Sequence, residues 1–162
     1  MVTISRGFAE EAERRGVDLE GALPSRALVD PVEVAGARID FAEEMLREAE
    51  EYVAKGNVVQ ASEKIYKAVE ECVKALAERF NVKQLEEVRR RGRWDAWLLG
   101  QASTDLSRIL GEDRIRFAWA TAYDVHVWGF HEAKYRLEDV ESALPIARWL
   151  LEYARKVVQQ AK

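Results

Sequence analysis

Cysteine is nearly missing from this chain. Cys72 is the single thiol in 162 residues, so there is no disulfide framework, which fits a reducing compartment. One thiol and two histidines cannot build a cysteine-rich zinc site either, and no metal or cofactor is expected. No run of residues approaches the roughly 18–20 apolar side chains of a membrane span. The opening residues, 1–16, are too charged for a secretory leader, so the expected location is the cytoplasm. Proline and glycine are sparse, at three and nine. No stretch alternates polar and apolar side chains over a strand's length, which sets aside a β-sandwich or barrel. An excess of positive charge is also absent. The 25 basic and 29 acidic side chains leave a net charge of −4, which argues against a duplex-DNA binder with a broad basic face. P-loops, GxGxxG turns, GxSxG elbows and HExxH helices are all missing, which argues against Walker-type nucleotide hydrolysis and serine-hydrolase chemistry.

What is present is apolar and charged in helical period. Hydrophobic residues at 48% supply a core, and charged residues at 33% cover a surface. Abundant Glu, Lys and Arg beside sparse Asn, Gln and Met point to a thermophilic source. The expected fold is all-α: an antiparallel helical bundle over residues 30–162 as a single domain, preceded by a short N-terminal helical arm and connector over residues 1–29.

Asp30-Pro31-Val32-Glu33 reads as a capping box with proline at the first helical position. Val32, Ala35, Ile39, Ala42, Leu46, Ala49 and Val53 then step along one seam as far as a stop at Gly56. Asn57 caps a second helix with Ile65, Val69, Cys72 and Leu76 inward, and so short a link predicts an antiparallel hairpin. Glu63/Lys67 and Glu70/Lys74 read as ion pairs along an exposed face. Trp94, Trp97, Leu98, Ala102, Leu106, Ile109 and Leu110 mark another helix, closed by Gly111. From Ile115 to about Ala133 apolar groups stand nearly all round, which predicts a central, buried helix. The last helix, Glu138 to Gln159, contains Pro145, which kinks it or marks its true first turn.

The segment from Ala122 to Glu132 holds both histidines within this most apolar helix. Buried polar groups need partners, because each one left unpaired costs roughly 1–3 kcal/mol. In α-helical geometry Trp119, Tyr123, His126 and Phe130 share one face, while Asp124, Trp128 and His131 share another. His126 and His131 then diverge by about 140° and form no pair unless Gly129 breaks the helix. Asp124 and His131 can flank one groove. His126 reads as a packed imidazole donating to a carbonyl or carboxylate, Asp124 as a partner for an Arg or Lys elsewhere, and His131 with Glu132 equally as structure or as site. A second cluster is Arg89, Arg90, Arg91 and Arg93 beside Trp94. It reads as a solvated loop whose indole caps the core, or as a phosphate grip with a stacking base on Trp94.

Three blocks carry a family resemblance: Gln60-Ala61-Ser62-Glu63-Lys64-Ile65-Tyr66-Lys67-Ala68-Val69-Glu70; Gly92-Arg93-Trp94; and Ala122-Tyr123-Asp124-Val125-His126 with Gly129-Phe130-His131-Glu132. Over roughly Asp30 to Val158 the chain resembles the archaeal PaREP family, paralogous proteins of hyperthermophilic archaea. The resemblance implies the HEPN-like superfamily (higher eukaryotes and prokaryotes nucleotide-binding), an antiparallel helical bundle that is often dimeric. Its relatives include RNA-cleaving toxins and non-catalytic nucleotide- or partner-binding proteins. The cleaving members place an arginine before a histidine with four to six residues between them. Here Trp119, Ala120 and Thr121 precede His126, while Asp124, Val125 and His126 precede His131, so that motif is missing. The expected function is a non-catalytic, homodimeric HEPN-like domain that binds a nucleotide, RNA or partner protein near Asp124, His126, His131 and Glu132. Arg90, Arg91, Arg93 and Trp94 are the phosphate or RNA candidates. The alternatives are a metal-independent ribonuclease using His126 or His131 as acid and base, and a structural partner in a toxin–antitoxin-like complex.

Overall fold

A computed structural model describes residues 31–160; the N-terminal arm, the connector and the Asp30 cap lie outside the described residues. Among these residues, helical period and caps give seven α-helices, one π-helical turn and no strand. The helices are α1 (Pro31–Ala54), α2 (Val58–Arg79), α3 (Gln84–Arg91), α4 (Ala96–Leu110) and α5 (Arg114–Val125). The π turn His126–His131 continues α5, and α6 (Leu137–Glu141) and α7 (Leu144–Gln160) follow. The expected all-α architecture holds.

α1 and α2 form the predicted hairpin. Gly56 turns the chain with a φ of +73°, a conformation that side chains with a Cβ resist. The Asn57 side chain then accepts from the Gln60 amide at 3.1 Å, starting α2. Ala35, Ala42 and Ala49 on one helix, and Ala61, Ala68 and Ala75 on the other, are fully buried or nearly so. These small residues recur every seventh position and let two backbones approach closely, while Ile39, Leu46, Ile65 and Leu76 fill the space between them.

The central element is α2 and not, as expected, the helix that carries the histidines. α2 packs against α1, α4, α5, the π turn and α7, and every residue from Glu71 to Ala77 is buried. α5 and the π turn lie against it by one face, through Ile115, Ala118, Trp119, Ala122, Val125 and Gly129. Their other face carries Phe117, Tyr123 and Trp128 at 58%, 42% and 44% exposure. Apolar residues all round a helix do not force burial, because folded proteins leave much apolar surface in water. Trp97 and Ile109 of α4 are exposed for the same reason.

A central α2 also buries charge. The polar ladder expected on a solvated face keeps its pairs, with Lys67 3.6 Å from Glu63 and Lys74 3.9 Å from Glu70. Lys74 is nevertheless buried and reaches Glu71 at 3.3 Å. Arg38 of α1 donates to Glu71 at 3.0 Å and to Glu78 at 2.7 Å. Such a cluster is stable only while every charge keeps its counter-charge. Pro145 falls in the first turn of α7, and the chain breaks before it, so α6 is a separate short helix. Among the described residues no helix is long and apolar enough to cross a membrane.

Two outcomes follow. Replacing Arg38 with alanine removes the cation between two carboxylates and should lower the unfolding free energy by about 3–5 kcal/mol in chemical denaturation. A loss below about 1 kcal/mol would mean that the cluster holds little of the α1–α2 interface. Burial, helped by Glu71, pushes the Cys72 thiol up, so thiol reagents should leave it unmodified until the protein unfolds.

Candidate functional site

The site begins with a change of helical pitch. After Val125 the backbone adds a residue to the turn, and the Glu132 amide donates to the carbonyl of Val127, five residues back, at 2.8 Å. Such π turns gather at functional sites. The cause lies in α2. A Cβ on Gly129 would stand 2.1 Å from the Ser62 hydroxyl oxygen and 2.8 Å from its Cβ. The chain therefore presses bare backbone against Ser62, whose hydroxyl donates to the Val58 carbonyl at 2.7 Å.

The wider turn brings together two residues that an α-helix separates. The Nε2 atoms of His126 and His131 are 2.9 Å apart, so one ring donates and the other accepts. The divergence expected for an unbroken helix is thereby corrected. His126 is half-buried and lies flat on the Tyr66 ring, with centroids 3.8 Å apart, while Phe130 runs parallel to it at 5.8 Å. Tyr123 stands beside this stack, 6.1 Å from His126 and 6.5 Å from Tyr66, and Trp119 closes it 5.7 Å from Tyr66. On its inner edge the Nδ1 of His126 is 3.3 Å from the Glu63 carboxylate. That nitrogen and that oxygen are both buried, and neither forms a hydrogen bond. Burial, with Glu70 as the next cause, pushes the Tyr66 phenol up, so it stays a neutral platform.

The remaining candidates fall elsewhere. Asp124 is exposed and accepts from the Tyr135 hydroxyl at 2.5 Å, not from an Arg or Lys. That bond, more than desolvation, pushes the Tyr135 phenol up to about 12. The grouping of Asp124 with His131 is therefore replaced by the pairing of His126 with His131. Glu132 is exposed next to His131. The arginine segment is largely neutralised by its own acids: Arg90 is chelated by Glu87, and both Arg91 and Arg93 reach Asp95, at 2.7 and 3.0 Å. Trp94 is buried, so it caps the core and offers no open ring. Trp97 is the exposed indole there, and the Arg91 guanidinium lies 5.7 Å above it. Arg114 turns instead to Glu112 and to the Trp149 ring. Among the described residues no group of three or more His, Cys, Asp and Glu is arranged to hold a metal ion.

Sequence reasoning missed Glu63 and Tyr66 as partners of His126. The one available signal was that both lie in the first resemblance block, at a spacing that puts them on the same face of α2.

The sequence profile of the archaeal PaREP1/PaREP8 family matches residues 37–151. The chain belongs to the archaeal PaREP1/PaREP8 family. The matched stretch runs from α1 into α7 and contains Glu63, Tyr66, Tyr123, His126 and His131. A crystal structure of a Sulfolobus solfataricus protein is similar, with 37% identity and a TM-score of 0.65, covering 71% of this chain and 93% of that one. A solution structure of the Orf c02003 protein, the same structural-genomics target, has 38% identity and a TM-score of 0.62, covering 70% of this chain and 87% of that one. A comparison with curated proteins finds no match. The shared fold covers 93% of the Sulfolobus crystal chain, so the bundle is common to the two proteins.

The close approach of Gly129 to Ser62 sets an expectation for the family's bundle. Gly129→Ala should lower stability by about 1–3 kcal/mol through overpacking and should separate the two imidazole signals in NMR spectra. Adding Ser62→Gly should restore both. A Gly129→Ala protein as stable as the parent, with its imidazoles still coupled, would show that the π turn does not depend on this contact.

Proposed function

We propose that this protein is a non-catalytic, HEPN-like helical module, residues 30–162 forming one folding unit, that binds the base of a nucleotide or of single-stranded RNA at the imidazole end of the bundle. The observation that supports this most is the open edge of the aromatic stack: Tyr123 is 42% exposed and 6.1 Å from His126, while the half-buried Phe130 packs against both His126 and the exposed His131. Bases stack on such rings with little regard to sequence, each worth about 1–3 kcal/mol. The base, not the phosphate, is the favoured handle, because Glu87 and Asp95 already engage Arg90, Arg91 and Arg93.

The ribonuclease alternative has less support. Among the described residues no arginine or lysine is bonded to or stacked on either imidazole, which leaves a transferring phosphoryl group without a counter-charge. We also read the protein as a cytoplasmic homodimer of thermophilic origin. The outward Phe117 and Trp128 support the dimer, since exposed aromatics mark protein interfaces. A structural partner would use the same face.

Titration with adenosine and with a single-stranded RNA oligonucleotide tests the binding reading. Tyr123→Ala should weaken binding about tenfold or more, in line with the stacking energy, and salt should have a shallow effect. Binding that survives Tyr123→Ala, or that falls steeply with salt and is lost on replacing Arg90, Arg91 and Arg93, would move the site to the arginine segment. Cleavage of the RNA that vanishes in His131→Ala would replace the binding reading with the catalytic one.

A further inference from the structure

The two imidazoles share a single hydrogen bond, and its direction is decided from the inner end. The Nδ1 of His126 lies 3.3 Å from Oε2 of Glu63; both atoms are sealed from water, and neither forms a hydrogen bond, so the contact is one of charge alone. The other oxygen of Glu63 is 3.6 Å from Lys67. A lone pair on that nitrogen would face an anion at close range and repel it; an N–H there is attracted. Nδ1 of His126 therefore carries the hydrogen, and a neutral ring then leaves Nε2 bare. Only one arrangement satisfies the 2.9 Å contact between the two Nε2 atoms: Nε2 of His131 donates and Nε2 of His126 accepts. In the neutral form of His131, Nδ1 then has no hydrogen. That atom belongs to an exposed ring and forms no hydrogen bond within the described structure.

We propose that Glu63, acting through His126, sets the tautomer of His131 and presents its Nδ1 as a hydrogen-bond acceptor, so that the site takes a neutral or cationic planar ligand offering an N–H or O–H and rejects free phosphate. This rests on the base-binding reading above and narrows it to the ligand's donor edge. The surrounding charges agree. Glu63 from α2, Asp124 from α5 and Glu132 after the π turn all lie on elements that meet at the imidazoles, with Lys67 paired to Glu63 and Lys74 to Glu70. Tyr66 and Tyr123 add neutral rings. An anion entering here would meet an acceptor lone pair within an acidic neighbourhood. A base with an exocyclic amine meets a matching acceptor beside the Tyr123 ring.

Nitrogen-15 long-range correlation spectra of the imidazoles in mildly alkaline buffer test this. The chain has two histidines, so two ring systems appear, and His131→Ala assigns them by removing one. The expected result is opposite tautomers: hydrogen on Nδ1 of His126 and on Nε2 of His131. Glu63→Leu should remove the lock and give each ring a mixture. Like tautomers, a reversed pattern, or no change in Glu63→Leu would overturn the proposal. Adenosine should shift the bare Nδ1 of His131, while inorganic phosphate leaves it in place; the opposite responses would also overturn it. Opposite tautomers with no response to adenosine or to RNA would sink the binding reading, and the ligand class with it, while leaving the tautomer assignment standing.

Discussion

In an α-helix, residues five apart point about 140° away from each other. At the end of α5 one more residue enters the turn, and that divergence disappears. The imidazole cluster depends on this insertion. With α-helical pitch maintained, His126 would still reach Tyr66, but His131 would leave with Trp128 toward solvent and the contact between the two Nε2 atoms could not form. The insertion is held by packing more than by local preference: Gly129 has no Cβ, so the backbone can sit against Ser62 in space no side chain could enter. Hydrogen bonding through five residues is normally less favourable than through four, so the contacts that the wider turn makes must outweigh the difference.

Those contacts all converge on α2. Because this helix is covered on nearly every side, its polar residues cannot be decoration. Glu63, Tyr66, Glu70 and Lys74 follow one another at three- and four-residue steps and form a single stripe. The upper end of the stripe meets His126; the lower end meets Glu71 and, through it, Arg38 of α1. Burial pushes both the Tyr66 phenol and the Glu70 carboxyl toward their neutral forms, while Lys74 opposes this at Glu70. The same helix therefore carries the inner layer of the site and the ionic tie between α1 and α2, with Tyr66 between them.

This explains what could be read in the chain and what could not. Helix positions are local properties: the Asn57 cap, the Gly56 stop and the seventh-residue alanines of α1 depend on neighbours a few residues away and were legible, while Pro145 was legible as either a kink or a start. Which helix lies at the centre is a property of the assembled bundle. The abundance of apolar residues around Trp119 and Trp128 pointed to the wrong one, because composition does not distinguish a helix surrounded by others from a helix with an aromatic outer face. α2 looked amphipathic and salt-laced, and its charges are buried because they neutralise one another. The chemistry of the site was half legible. The histidines and aromatics stood out in one segment, but their partners come from α2, some 60 residues earlier (His126 against Glu63 and Tyr66), and their mutual contact needs a π turn whose only local sign is Gly129.

The two polar clusters of the chain then separate on physical grounds. The arginines between Arg89 and Arg93 are numerous, yet Glu87 and Asp95 occupy Arg90, Arg91 and Arg93, and the indole beside them, Trp94, faces the core. An incoming phosphate would have to displace carboxylates already in place, with little net gain from exchanging one ion pair for another. The imidazole cluster has the opposite character. It has fewer formal charges, but its inner atoms are sealed and its outer ring is open, so its one vacant hydrogen-bonding position faces water. A group held in place by a stack and a carboxylate loses little freedom when a ligand arrives, whereas a flexible arginine must first be ordered. Preorganisation, more than charge, distinguishes this end of the bundle.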